Sequence, residues 1–170
     1  MTRMRNLARF YAMAILSGSI ILDQLTKAAA RRSLPGTGEH HLVGDLLVMV
    51  YAENRGAFLG LGGSWPTATR QIVFIILSAA VLVATLGFTF LSRRLSRSSA
   101  AALAFIAGGG FGNMIDRVSR NGFVTDFLNV GIGRIRTGIF NIADLSITIG
   151  AAILAVSYFA CPRGGHSSPK

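Results

Sequence analysis

Apolar runs dominate the chain, and a helix needs about 20 mostly apolar residues to cross a bilayer. The run from Ile72 to Leu91 supplies them without a single charge. A second run begins near Ala100 and ends at Asp116-Arg117, and a third extends from about Ile139 to Cys161, interrupted only by Asn141 and Asp144. The first apolar stretch is less regular: Phe10 to Leu22 is uncharged, but Asp23 and Lys27 follow before Arg31-Arg32. Acid first and base four residues later fall on one helix face as a favourable pair, which predicts a helix carried through from about Leu7 to Ala30. A cleaved signal peptide is the competing reading here, with Arg3, Arg5 and Arg9 as its basic region and Ala28-Ala29-Ala30 as a small-residue cleavage site.

Between the apolar runs the pattern changes period. His41 to Tyr51 reads as two short strands with a turn at Gly44-Asp45, and Gly122 to Leu128 reads as a third strand. Together they predict a small sheet resting on the outer membrane face. Arg93, Arg94 and Arg97 crowd one short connection, and Arg3, Arg5 and Arg9 crowd the N-terminus, so both are expected to be cytoplasmic. Four spans then return the C-terminus, with Arg163 and Lys170, to the same side. The expected architecture is a polytopic α-helical membrane protein: four transmembrane helices with a small extracytoplasmic β-sheet subdomain, in one domain covering 1–170. Spans are expected at about 7–30, 72–91, 100–116 and 139–161, outer segments at 31–70 and 117–137, and a disordered tail at 162–170.

Composition agrees with a membrane domain. Of 170 residues, 51% are hydrophobic and 14% charged, against roughly a quarter charged in soluble domains. A formal charge of +10 would suggest nucleic acid in a soluble protein, but here Lys and Arg sit mostly at the ends of apolar runs, as membrane anchors do. No nucleic-acid fold motif is present, and none is expected as a partner. The lone Cys161 excludes a disulfide framework within the chain, and His40, His41 and His166 do not make a metal site, so neither metal nor cofactor is expected.

Polar side chains at membrane depth are costly and mark candidate functional positions. Asp23 with Lys27 is one set. Asn113, Asp116 and Arg117 are another, at helical spacings that put them on one face. Gly108, Gly109 and Gly112 just before them form a small-residue face expected to serve helix packing. Asn141 and Asp144 stand three apart near the start of the last span, and Asp126 lies on the outer segment ahead of it. Asp126 and Asp144 are the pair that can meet, near the outer interface. Two carboxylates close together in a low-dielectric site share a proton and titrate as a unit. The charged member can act as general base on water and the neutral member as general acid on a carbonyl. The residues alone equally allow two separate structural aspartates, one capping a turn and one paired with Arg117 or Lys27.

Five short motifs stand in order along the chain. They are Asp23-Gln-Leu-Thr-Lys27, Asn54-Arg-Gly-Ala-Phe-Leu-Gly60, Gly109-Gly-Phe-Gly-Asn-Met-Ile-Asp-Arg117, Val124-Thr-Asp-Phe127 and Phe140-Asn-Ile-Ala-Asp144. In this order the chain resembles the bacterial lipoprotein signal peptidases, also called signal peptidase II, over roughly Leu22 to Ile147. The resemblance implies an intramembrane aspartic endopeptidase of the bacterial inner membrane with its catalytic pair on Asp126 and Asp144. It places supporting or substrate-binding residues on Asp23, Lys27, Asn54, Gly56, Asn113, Arg117 and Asn141, and leaves Asp116 a structural role. The implied substrate is a prolipoprotein cut just before a diacylglyceryl-modified cysteine, with membrane lipid around it. Asn54 and Arg117, both donors, are candidates to hold the substrate backbone. Two positions depart from the family's pattern. Gly56-Ala57 is followed at once by Phe58, and Phe111 stands where a small residue is usual. A monomer is expected, because one chain can complete the polar set.

Two other classes compete. A small transporter or channel subunit would line a polar path with Asp23, Lys27, Asp116, Arg117 and Asp144, although no inverted repeat is visible. An assembly factor would keep the same residues for scaffolding alone.

Overall fold

The structure is a computed structural model that describes residues 2–56, 64–92 and 96–159. Ala57 to Gly60 of the loop motif, with the departure at Phe58, lie outside them, as do Arg93 and Arg94 and the chain from Ala160 through the tail. The described residues form helices α1 (Thr2–Ser33), α2 (Thr67–Leu91), α3 (Arg97–Ser119) and α4 (Ile142–Phe159). Their strands are β1 (His40–Val43), β2 (Leu47–Asn54), β3 (Val124–Ile132) and β4 (Ile135–Arg136). Three helices, over Thr67–Thr89, Arg97–Ser119 and Ile142–Phe159, are long and apolar enough to cross a membrane. The fourth, α1, is the longest of the described helices, and Asp23, Gln24 and Lys27 lower its hydropathy.

At the centre lies α3, which packs on α1, α2 and α4. It does so because its buried positions are Ala100, Ala102, Ala104, Ala107, Gly108, Gly109 and Gly112. A Cβ on Gly108 would strike Ser19 of α1, one on Gly109 the backbone of Ala143 in α4, and one on Gly112 the Asp23 carboxylate. Small residues bring helix backbones together where burial in lipid offers no hydrophobic drive. Large apolar side chains turn outward instead: Phe10, Leu22 and Leu25 on α1, Ile76, Val83 and Phe88 on α2, Val156 and Phe159 on α4. Phe111 also sits at the exposed edge of α3, so its bulk does not enter the helix contact beside Gly112.

The strands form one antiparallel sheet in the order β1-β2-β3-β4. The third strand runs on to Ile132, beyond the expected end at Leu128, and β4 closes a hairpin on it through Ile132↔Ile135. The last helix starts at Ile142 rather than near Ile139. Phe140 is extended instead, exchanging backbone bonds with Leu128 at 2.8 Å in each direction. That bridge ties the start of α4 to the middle of β3.

Candidate active site

Asp126 and Asp144 reach one place by different routes. In the sheet, Asp126 pairs opposite Ala52 and Asn54 opposite Val124, so Asn54 and Asp126 are diagonal neighbours on one face. Asn54 Nδ2 donates to Asp126 Oδ2 at 3.0 Å, and Asn54 Oδ1 accepts the Gly56 N–H at 2.9 Å. Neighbouring Phe127 points the other way, into a cluster with Ala30 and Leu34. On α4, Asn141 is the N-cap and Asp144 stands three residues later, where the two cap each other reciprocally. The Asp144 N–H donates to Asn141 Oδ1 at 3.0 Å, and the Asn141 N–H donates to Asp144 Oδ2 at 3.2 Å.

Asn141 links the two aspartates. Its Nδ2 donates to Asp126 Oδ1 at 2.6 Å while its backbone and carbonyl oxygen hold Asp144. Asn113 of α3 completes the second carboxylate, donating from Nδ2 to Asp144 Oδ1 at 2.9 Å. Every hydrogen-bond donor to these two carboxylates among the described residues is thus a neutral amide, and neither is ion-paired. Asp126 is 2% exposed, whereas Asp144 is half-buried. Burial, and then the charge of Asp144, push the Asp126 carboxyl up to about 6, against the smaller pull of its bonds to Asn54 and Asn141 and of Lys27.

A second pair of carboxylates has cations. Lys27 Nζ lies 2.9 Å from Asp23 Oδ2 and 3.5 Å from Asp116 Oδ2, and donates to Asn113 Oδ1 at 2.8 Å. Arg31 reaches Asp116 Oδ1 at 3.5 Å. Lys27 and Asp23 are fully buried and Asp116 is 1% exposed. The two carboxylates then accept backbone N–H groups from elsewhere: Asp23 from Ala143 at the start of α4, and Asp116 from Thr125 of β3, both at 2.9 Å.

Asn113 and Asp116 meet Lys27 together, but Arg117 does not share their direction. It points toward Gly56, whose carbonyl it approaches at 3.4 Å, and lies over the Phe74 ring at 5.6 Å. It remains within electrostatic reach of Asp144, Asp126 and Asp116, and its buried Nε has no hydrogen-bond partner among the described residues. Three participants escape the sequence reading. Thr125 is fully buried and accepts from Arg31 at 3.2 Å, and Gln24 bridges Asp23 and the Gly112 carbonyl at 3.1 Å each. The third is the backbone N–H of Ala143. A signal existed for all three, since Gln24, Thr125 and Ala143 lie inside the motifs Asp23–Lys27, Val124–Phe127 and Phe140–Asp144. Ala143 acts through a backbone N–H that side-chain chemistry does not reveal, and Thr125 through both its hydroxyl and its backbone N–H.

These features define a polytopic membrane protein with a paired-carboxylate site between its helices and its sheet. Residues 15–160 match the family described as signal peptidase (SPase) II, and the chain belongs to that family. It is 36% identical over 144 residues to a lipoprotein signal peptidase of Geobacter sulfurreducens, covering 84% of this chain and 88% of the relative. Against the lipoprotein signal peptidase of Paraburkholderia phymatum the identity is 36% over 165 residues, covering 95% and 93%. A bacterial membrane enzyme solved by the in meso method at 2.3 Å superposes with a TM-score of 0.80 at 25% identity, covering 94% of each chain.

Proposed function

We propose that this chain is the aspartic endopeptidase that removes the signal peptide from diacylglyceryl-modified prolipoproteins, with Asp126 and Asp144 as its catalytic pair. The observation that carries the reading is Asn141, which bonds both carboxylates at once, with no ion pair to either among the described residues. A pair so held keeps one proton between its members. The ionised carboxylate takes a proton from water, and the resulting oxygen attacks the scissile carbonyl. The neutral carboxyl gives its proton to the carbonyl oxygen. On collapse, the carboxyl that took the water proton gives it to the leaving amine while the other carboxylate takes back a proton from a gem-diol hydroxyl, so the pair again holds one proton. Buried Asp126, with the raised carboxyl, suits the acid role, and half-buried Asp144 suits contact with water.

The lipid-modified cysteine keeps its acyl chains in the bilayer, so the bond beside it lies at the interface. A site between the helix ends and the sheet is at that depth if all four helices span, α1 included. The outward apolar face and inward Asp23 and Lys27 of α1 support that placement. With basic residues at the N-terminus and after α2, both termini lie in the cytoplasm and the sheet lies outside. Arg117 points toward the site's edge with an Nε that has no partner among the described residues, and is the donor we assign to the substrate backbone. One chain supplies every contact named, which supports action as a monomer.

The test is cleavage of a lipid-modified prolipoprotein by the purified protein in detergent, wild type beside Asp144→Asn. Wild-type cleavage that the variant lacks is the expected result. No cleavage by well-folded wild type on several substrates would overturn the reading.

A further inference from the structure

The Lys27 cluster repeats one contact on both arms of the site. Asp116 accepts the N–H of Thr125, the residue before Asp126, and Asp23 accepts the N–H of Ala143, the residue before Asp144. Both carboxylates meet the same ammonium, at 3.5 and 2.9 Å. Its third contact, Asn113 Oδ1 at 2.8 Å, matches the three donors an ammonium carries. That contact also fixes which way the Asn113 amide faces. With its oxygen on Lys27, its nitrogen must point at Asp144, where it donates at 2.9 Å. Turned over, the amide would set its oxygen against the carboxylate.

We propose that Lys27 is a positioning residue that sets the separation of Asp126 and Asp144, through Asp116 and Asp23 on their backbones and through Asn113 on the Asp144 side chain. The inference rests on the reading that these two aspartates are the catalytic pair. Four elements converge here: α1 carries the ammonium, α3 carries Asp116 and Asn113, and the anchored N–H groups belong to β3 and α4. Misplacement of reacting groups by about 1 Å can cost roughly 100-fold in rate. A fully buried cation serving both arms is therefore a single point of control over their geometry.

Charge balance alone and positioning make different demands. Balance needs only a cation, whereas positioning needs a compact one that reaches three acceptors at once. The experiment compares wild type, Asp126→Asn, Lys27→Arg and Asp23→Asn in detergent, with a lipid-modified prolipoprotein, from pH 4 to 9. Asp126 is faced by Asp144 from α4, Lys27 from α1 and Arg117 from α3, besides the neutral amides of Asn54 and Asn141. Lys27→Arg leaves every one of these charges in kind. It is expected to lower kcat about 10- to 100-fold with KM within about twofold. It should also move the alkaline limb of kcat/KM to lower pH, because a wider pair weakens the hold of Asp144 on the Asp126 proton. Asp23→Asn keeps an oxygen for the Ala143 N–H but loses the pull of Lys27, and should lower kcat in the same way. The shape of a pH profile does not depend on how much protein folds, so partly folded preparations still read it. Wild-type kcat and an unmoved limb in Lys27→Arg would overturn the proposal, since a cation of any shape would then suffice. A kcat that only tracks the folded fraction, with the limb in place, would overturn it equally. If wild type does not cleave, or Asp126→Asn cleaves undiminished, it is the catalytic reading that fails.

Discussion

Two pairs of carboxylates sit side by side in this protein, and they differ in one respect. Asp23 and Asp116 share a buried lysine and reach an arginine at the edge. Among the described residues, Asp126 and Asp144 receive only neutral amides. A cation beside a buried carboxylate returns part of its desolvation cost through Coulombic attraction, which neutral amides do not supply. The first pair holds backbone N–H groups, and the proposed role of the second is to exchange protons. Aspartates so close, in one polar core, divide into structure and chemistry by their partners.

The contrast is open to attack at several points. The largest effect is expected from Asp126→Asn or Asp144→Asn, each lowering the prolipoprotein cleavage rate at least ~10³-fold while the protein stays folded, as befits loss of a general acid or base. Next is Lys27→Met, which leaves two buried carboxylates without their shared counter-ion. Breaking a buried pair typically costs about 3–5 kcal/mol, and thermal unfolding in detergent should show it. Asp126→Asn should do the opposite. A carboxyl raised from 3.8 to about 6 opposes folding once it is ionised: nothing is lost below the unfolded value, and the cost is complete above about 6. The variant should therefore be more stable than wild type at pH 8, by on the order of 2–3 kcal/mol, with the advantage gone by pH 4. Unfolding curves at the two pH values check this, and a gain equal at both would break the contrast. The smallest effect is expected from Gly112→Ala, whose Cβ would press on the Asp23 carboxylate. Overpacking of this kind costs about 1–3 kcal/mol and should fall on stability before activity.

Much of this was legible in the chain, and particular residues show why the rest was not. Apolar runs mark three of the helices because hydrocarbon demands them. The Asp23–Lys27 spacing marks the buried face of α1. Asn141 and Asp144, three apart, mark a polar face at the start of the last helix, though their reciprocal cap appears only in the structure. Hidden from the sequence were pairings across long separations: Leu128 with Phe140, which shortens α4, and Lys27 with Asp116, 89 positions on by the numbering. A strand of two residues, Ile135–Arg136, is too short to carry a period. Thr125 stood inside a motif, but one of its contacts in the site is a backbone N–H that any residue but proline would supply. Arg117 was placed on the Asn113 face by helical spacing, yet a step of one residue from Asp116 turns it to the opposite flank.

The account turns on a proton shared between Asp126 and Asp144, and the pH dependence of kcat/KM for a lipid-modified prolipoprotein tests it most directly. The single-protonated pair requires activity to fall about tenfold per unit as pH rises beyond an apparent value near 6. A rate that stays flat from pH 5 to 9 would contradict the shared proton and, with it, the division of labour between the two pairs.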